Sequence, residues 1–219
     1  MFTGLIEAVG VVREIKQRGS TPSDPALHVM RLLIERGSWP HAPELGESIS
    51  INGCCLTLAA PLGDHAGAMA FDAVPQTLSL TTLGTLKAGS RVNLEKSATL
   101  STLLGGHVVQ GHVDGVGRIT RVQRGEDWRI RITPPPHLME FMTPKGSITI
   151  EGVSLTLATV DVPGGWIEVA LIPTTLAKTT LQSLAEGDGV NIEADAMAKT
   201  IVHWLKNFAQ SARPDTGPR

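Results

Sequence analysis

The chain has 219 residues, 42% of them hydrophobic, with 19 basic and 21 acidic side chains and a net charge of −2. That is enough apolar material for one large core or two cores of about 100 residues each. The basic residues form no run, which argues against nucleic acid as a partner, and no stretch approaches the ~20 apolar residues of a membrane span. Residues 1–7 lack the basic and apolar regions of a secretory signal, and the two cysteines are adjacent and make no disulfide framework. A reducing cytoplasm is the expected compartment. Gly and Thr are plentiful and aromatics few (4 Phe, 4 Trp, no Tyr), a mix that suits short strands and tight turns.

In chain order, residues 6–15 and 27–34 read as strands, followed by a Pro-opened connection at 40–43 with room for a short helix. Residues 48–58 form an apolar run, a turn at Asn52-Gly53 and then Cys54-Cys55-Leu56-Thr57-Leu58. Residues 69–74 read as a strand and 76–80 as another short helix. The pattern then starts again. With an offset of 99, residues 50–59 match residues 149–158 at six of ten positions. With an offset of 98, residues 74–83 match residues 172–181 at six of ten, and Gly89, Val92, Asn93 and Glu95 fall on Gly187, Val190, Asn191 and Glu193. An offset of 107 lays Gly4, Val9 and Gly10 over Gly111, Val116 and Gly117. Block order is preserved, so the chain is a tandem duplication. Strands at 113–122, 128–133 and 166–171 and short helices within 134–142 and 174–178 complete the second copy.

Short strands at near-regular spacing indicate an all-β unit per copy, a small barrel or sandwich. The barrel is preferred because closure removes sheet edges. The expected domains are 1–97 and 98–194, joined through the Ser-, Thr- and Gly-rich stretch 97–106. Beyond them Met197, Ile201, Leu205 and Phe208 line one face of an amphipathic helix over 195–210 that Asp195 is placed to cap. That stripe either packs back on a barrel or joins subunits. Residues 211–219 read as a disordered tail.

Strand alternation places Ile51, Gly53, Cys55 and Thr57 on one face and Asn52, Cys54, Leu56 and Leu58 on the other. The second copy places Ile150, Gly152, Ser154 and Thr156 on the matching face. Cys54, among leucines, reads as a buried structural thiol, whereas Cys55 shares its face with a hydroxyl and has Ser154 as its counterpart. His107 and His112, five residues apart in a strand-like stretch, point to opposite faces, a poor arrangement for a shared metal. Lys145, Glu151 and Asp195 sit at element ends and default to solvent.

Taken together, the opening Met-Phe-Thr-Gly-Leu-Ile-Glu, Asn-Gly-Cys-Cys-Leu-Thr-Leu, Gly-Gly-His-Val-Val-Gln-Gly-His-Val-Asp-Gly, Glu-Gly-Val-Ser-Leu-Thr-Leu and Leu-Ile-Pro-Thr-Thr-Leu resemble the riboflavin synthase family of the alpha-chain type. The resemblance runs from residue 1 to about residue 208. It implies two six-stranded Greek-key barrels, each binding one 6,7-dimethyl-8-ribityllumazine. It also implies a homotrimer joined through C-terminal helices, with sites between the N-barrel of one subunit and the C-barrel of the next. The implied reaction is a cofactor-free dismutation of two lumazines to riboflavin and 5-amino-6-ribitylamino-pyrimidinedione. Association with lumazine synthase stays open.

By matching position, the resemblance assigns catalytic or near-catalytic places to Phe2, Ser48, Cys55 and His112 around the N-barrel site. It assigns Lys145, Glu151, Ser154 and Asp195 to the C-barrel site; Glu151 stands where some relatives carry Asp. Substrate-lining stretches are implied at Gly4, Leu5 and Ile6 and at Gln110, Gly111 and His112. Others fall at Cys54, Cys55, Leu56 and Thr57, at Asp72, Ala73 and Val74, and at Pro75, Gln76 and Thr77. In the second copy they fall at Lys145, Ser154, Leu155 and Thr156, at Ala170, Leu171 and Ile172, and at Pro173, Thr174 and Thr175. Two other readings are a lumazine protein, which binds without turnover, and a plain flavin- or nucleotide-binding module. Retention of Cys55, His112, Ser154 and Lys145 favours the enzyme.

Overall fold

The computed structural model describes residues 1–18, 29–65 and 67–209. Twelve strands form two closed barrels. The first contains β1 (Ala8–Arg18), β2 (Val29–Glu35), β3 (Ser48–Ile51), β4 (Cys54–Ala60), β5 (Met69–Ala73) and β6 (Arg91–Lys96), in the cyclic order β1-β2-β5-β4-β3-β6. The second contains β7 (Gly115–Gln123), β8 (Trp128–Thr133), β9 (Ser147–Ile150), β10 (Val153–Asp161), β11 (Trp166–Leu171) and β12 (Gly189–Ala194), in the equivalent order. The hairpin strands β3, β4 and β5 lie side by side with β2 returning beside β5, which is a Greek key. Even the register shifts repeat: Val12/Glu14 and Leu58/Ala60 in the first barrel, Ile119/Arg121 and Leu157/Thr159 in the second.

Each barrel is filled from alternate positions. Ile49, Ile51, Leu56, Leu58, Leu83 and Leu94 pack in the first, and Ile148, Ile150, Leu155, Leu157, Leu181 and Ile192 in the second. One sequence expectation fails here. Ile51 does not share a face with Cys55; it pairs with Cys54 and both are buried. The two-residue turn at Asn52-Gly53 restarts the alternation, because cross-strand partners in a hairpin point the same way. Both turn residues have positive φ, 48° and 81°, as do Glu151 and Gly152 at 49° and 81°.

Helices α1 (Pro75–Leu80) and α2 (Pro173–Lys178) each open on a proline at the first position and follow the last hairpin strand of their barrel. A 3-10 helix spans Pro136–Phe141. The connection 40–43 holds no helix. It is tied by side chains instead: Arg36 Nη1 donates to the carbonyls of Trp39 and His41 at 3.2 and 2.6 Å, and Trp39 is buried in the first core. Helix α3 (Ala196–Asn207) is capped by Asp195, whose Oδ1 accepts from Met197 N and Ala198 N at 2.7 and 3.2 Å. Residues 27 and 28 of the second expected strand, residue 210 of the helix and the expected tail lie outside the described residues.

The barrels meet turn to turn. A Cβ on Gly53 would lie 2.7 Å from Gly152 N, and one on Gly152 would lie 2.7 Å from Gly53 N, so only glycines allow this approach. Around that contact Asn93 Nδ2 donates to Glu151 O and Asn191 Nδ2 to Asn52 O, both at 2.8 Å. Thr180 N and Thr82 N donate to Asn93 Oδ1 and Asn191 Oδ1 at 2.8 and 2.6 Å. Glu151, expected at the surface, is 5% exposed inside this junction. Its Oε1 accepts from Asn191 N at 2.6 Å and from Thr82 Oγ1 at 3.2 Å, because the turn points the side chain into the seam and away from solvent. Asn52 fills the matching place, its Oδ1 accepting from Asn93 N at 2.7 Å.

Burial pushes the Glu151 carboxyl up from 4.5 to about 8. Across that interval the folded chain holds a proton the unfolded chain has released, so this group's contribution to stability is full below about pH 4.5 and is lost as pH rises toward about 8. Thermal melts of wild type and Glu151→Gln across this range should therefore diverge with pH, the variant gaining on wild type toward the alkaline end. Parallel curves would mean that Glu151 does not titrate in this window.

Candidate active site

The segment leading into each barrel serves the other barrel. Residues 1–7 precede β1, and residues 107–114 precede β7. They pair with each other: Phe2 N donates to Val109 O at 2.7 Å and Val109 N returns a bond to Phe2 O at 3.1 Å. Each then reaches across. Gly111 O accepts from Cys55 N on β4, and Gly4 O accepts from Ser154 N on β10, both at 2.8 Å. These contacts have no slack, since a Cβ on Gly111 would lie 2.6 Å from Cys55 Cβ and one on Gly4 would lie 2.5 Å from Ser154 Cβ. Both glycines have positive φ, 80° and 76°.

Two buried carboxyls hold the segments. Glu95 on β6 accepts from Thr3 N and Thr3 Oγ1 at 2.7 Å and from Gly4 N at 3.0 Å. Glu193 on β12 accepts from Gln110 N, Gly111 N and His112 N at 2.7, 2.9 and 3.1 Å. Burial raises both above the usual carboxylate range, and their hydrogen bonds pull the other way. Sequence matching paired these glutamates but assigned them no part in the site.

Two equivalent cavities result. The first, about 180 Å³, is lined by Cys54, Cys55, Gln76, Thr77, Leu80, Thr81, Gly111, His112 and Val113. The second, about 230 Å³, is lined by Val153, Ser154, Thr174, Thr175, Lys178, Thr179, Gly4, Leu5 and Ile6. They share no residue. Position by position, Cys55 faces the role of Ser154, His112 that of Leu5, Gln76 that of Thr174 and Leu80 that of Lys178. The Cys54 thiol is buried and pushed up to about 12, first by desolvation and then by the proximity of Cys55 and Glu193, which leaves it inert at neutral pH.

The remaining expected residues are more dispersed. Ser48 and Thr57 form a cross-strand pair on the Cys55 face, one step along the hairpin from Ser50 and Cys55. Thr156 is exposed on β10 and pairs with Ser147, while Leu56 and Leu155 belong to the cores. Phe2 is 1% exposed, beneath Gly111. Asp72 on β5 is held by Arg31 at 2.7 and 2.6 Å, and Ala73, Val74 and Pro75 carry the chain from β5 into α1. Ala170 and Leu171 close β11, and Ile172-Pro173 leads into α2. Lys145 is exposed in the turn before β9, with φ 66°. It lines neither cavity, and nor do Glu151, in the inter-barrel seam, and Asp195, at the α3 cap.

His107, which beside a glycine reads equally as an acid/base candidate or a plain surface histidine, belongs to the site. His107 lies against the second cavity, its Nδ1 2.7 Å from Ser154 Oγ and its Nε2 3.2 Å from Thr149 Oγ1. Burial lowers its pKa, partly countered by Asp195, so the imidazole stays neutral and can exchange a proton with the serine hydroxyl. The two histidines thus serve different cavities. The repeat pattern could not reveal His107, because its counterpart position falls before Met1 under the offset of 107. Among the described residues no group of three or more metal-ligating side chains occurs, and no helix is long and apolar enough to cross a membrane.

A family model described as the lumazine binding domain matches residues 3–97 and again 110–195. The riboflavin synthase of Mycobacterium bovis is 40% identical over 210 residues, covering 94% of this chain and 99% of that protein. The riboflavin synthase of Bacillus subtilis is 35% identical over 217 residues, covering 99% and 95%. Among solved structures, LumP complexed with 6,7-dimethyl-8-(1'-D-ribityl) lumazine superposes with a TM-score of 0.74 at 25% identity, covering 89% of this chain and 99% of that one. LumP complexed with riboflavin superposes with a TM-score of 0.75 at 26% identity over the same shares. With two lumazine binding domains in tandem and near full-length similarity to these enzymes, the chain belongs to the riboflavin synthase family.

Proposed function

We infer that the chain is a riboflavin synthase. It joins two molecules of 6,7-dimethyl-8-ribityllumazine, moves a four-carbon unit from one to the other, and releases riboflavin and 5-amino-6-ribitylamino-pyrimidinedione. The observation that carries this reading is the pair of equivalent cavities, one per lumazine binding domain, built on one plan and lined differently. The reaction needs two copies of one molecule in unequal roles. Two substrate molecules supply every atom of both products, so the dismutation balances without an external oxidant.

In the mechanism we propose, the C7 methyl of one lumazine loses a proton to give a resonance-stabilised carbanion. A nucleophile, water or the Cys55 thiol, adds to C7 of its partner, with His112 and Ser48 on the same side to assist. The joined intermediate then fragments. The His107–Ser154 pair gives the second cavity a neutral proton acceptor, which suits it to the deprotonated partner. Much of the acceleration comes from fixing the two rings against each other.

We further propose that residues 1–97 and 98–194 are the two substrate domains and 195–210 the assembly element of a cytoplasmic homotrimer. The first cavity holds about 180 Å³, and the second, about 230 Å³, opens through Leu5, Ile6 and Lys178 into a wider groove of about 730 Å³, so both are accessible to a second subunit. Helix α3 leaves Met197 73%, Ile201 55% and Leu205 53% exposed, with Phe208 just beyond it at 51%. Within the chain α3 is tied by polar contacts, Lys199 to Asp114 at 2.9 Å and Lys206 to Glu140. An apolar stripe of this kind supports burial against other subunits, with the N-barrel of one facing the C-barrel of the next.

Purified protein mixed with the ribityllumazine should produce riboflavin fluorescence with two substrate molecules consumed per flavin; tight binding without product would favour a lumazine-carrying protein instead. Cys55→Ser should lower kcat by about 10²-fold or more if the thiol acts in the addition step, and undiminished turnover removes it from the scheme. Ile201→Glu combined with Leu205→Glu should shift the sedimentation of the protein from trimer to monomer and abolish most turnover. A fully active monomer would sink the shared-site arrangement.

A further inference from the structure

Glu95 and Glu193 are buried, charge-bearing groups that the reaction scheme leaves unused. Each sits in the last strand of its own barrel, and each spends its acceptor capacity on a segment that walls the cavity of the other barrel. Glu193, on β12 of the second barrel, holds the backbone of residues 110–112, and Gly111 and His112 line the cavity around Cys55 in the first. Glu95, on β6 of the first barrel, holds Thr3 and Gly4, and Gly4 lines the cavity around Ser154 in the second. We propose that these two glutamates are crossed positioning residues: Glu193 sets the geometry of the Cys55 cavity in the opposite barrel, and Glu95 that of the Ser154 cavity.

The chemistry of the contacts requires a carboxylate. Three N–H groups converge on the two oxygens of Glu193, and two N–H groups and a hydroxyl converge on those of Glu95. A glutamine in either place would turn one acceptor into a donor aimed at another donor. The effect cannot be absorbed locally. Gly111 is bonded through its carbonyl to Cys55 N, and its Cα packs on the Cys55 side chain, so any shift of residues 110–112 moves the floor and rim of that cavity together. Gly4 and Ser154 are related in the same way. Burial raises both carboxyls, and the hydrogen bonds from these donors work against it, favouring the carboxylate form.

This proposal rests on the lumazine-binding reading of the cavities, and the test separates the two. Amide hydrogen exchange without ligand, and protection of Cys55 from iodoacetamide by riboflavin, are measured on full-length wild type, Glu193→Gln and Glu95→Gln. Glu193→Gln should speed exchange at residues 110–112 and Cys55 by about tenfold or more, as expected for loss of charge-assisted hydrogen bonds. It should also raise the riboflavin concentration needed to protect Cys55 by a similar factor. Glu95→Gln, although it lies in the same barrel as Cys55, should leave both Cys55 readouts within about twofold of wild type and loosen residues 3–5 and Ser154 instead. If each substitution loosens its own barrel's cavity, or both loosen both cavities equally, the crossed assignment is overturned. Where a Gln variant does not fold, Glu→Asp at the same position keeps the charge, shortens its reach and is read by the same crossed pattern. Failure of riboflavin to protect wild-type Cys55 would count against the binding reading, while the exchange pattern would still decide the positioning roles.

Discussion

The arrangement depends on satisfying the backbone of two short segments that belong to neither sheet. Residues 1–7 and 107–114 run between the barrels, where a buried N–H without an acceptor would cost about 1–3 kcal/mol. Their donors are taken up by Glu95 and Glu193, and their carbonyls by Cys55 N and Ser154 N. Burying two carboxyls is itself expensive and is tolerated because each is ringed by donors. The consequence is architectural. Neither barrel completes its own cavity, and the two domains cannot be separated without opening both.

On this nearly symmetric frame the differences fall where chemistry would use them. The junction of the barrels is repeated almost atom for atom, with Asn93 and Asn191, Thr82 and Thr180, and Gly53 and Gly152 in matching contacts. Asn52 against Glu151 is the exception there, and it is buried away from both cavities. Around the cavities the pairs diverge: Cys55 with His112 on one side, Ser154 with His107 on the other. A thiol beside an exposed imidazole and a hydroxyl beside a neutral, half-buried one are different tools. Two identical substrates held in such unlike surroundings need not react alike.

Much of this was legible in the residues. The duplication, the strand positions, the faces of Cys54 and Cys55 and the capping of α3 by Asp195 all follow from short-range rules: alternation along a strand, proline at a helix start, a carboxylate before a helix. These rules act between neighbours in the chain, so a sequence read in order carries them. Ile51 was misread because a two-residue turn restarts the alternation, and Glu151 because charge alone says surface when the turn's φ angles point inward. The 40–43 connection, with room for a short helix, forms none and is held by Arg36 and Trp39 from outside it.

By itself, then, the sequence determined that one all-β unit is used twice, that the leucines of each Leu-Thr-Leu face its core, and which Cys and Ser positions correspond. Tertiary structure alone decided that the segment before each barrel crosses to the other, that Glu95 and Glu193 anchor those crossings, and that His107 meets Ser154. The physical reason is range. Periodicity and turn chemistry are properties of adjacent residues, whereas a carboxyl's partners 82 or 92 positions away are selected only when the two sheets close and bring their donors together.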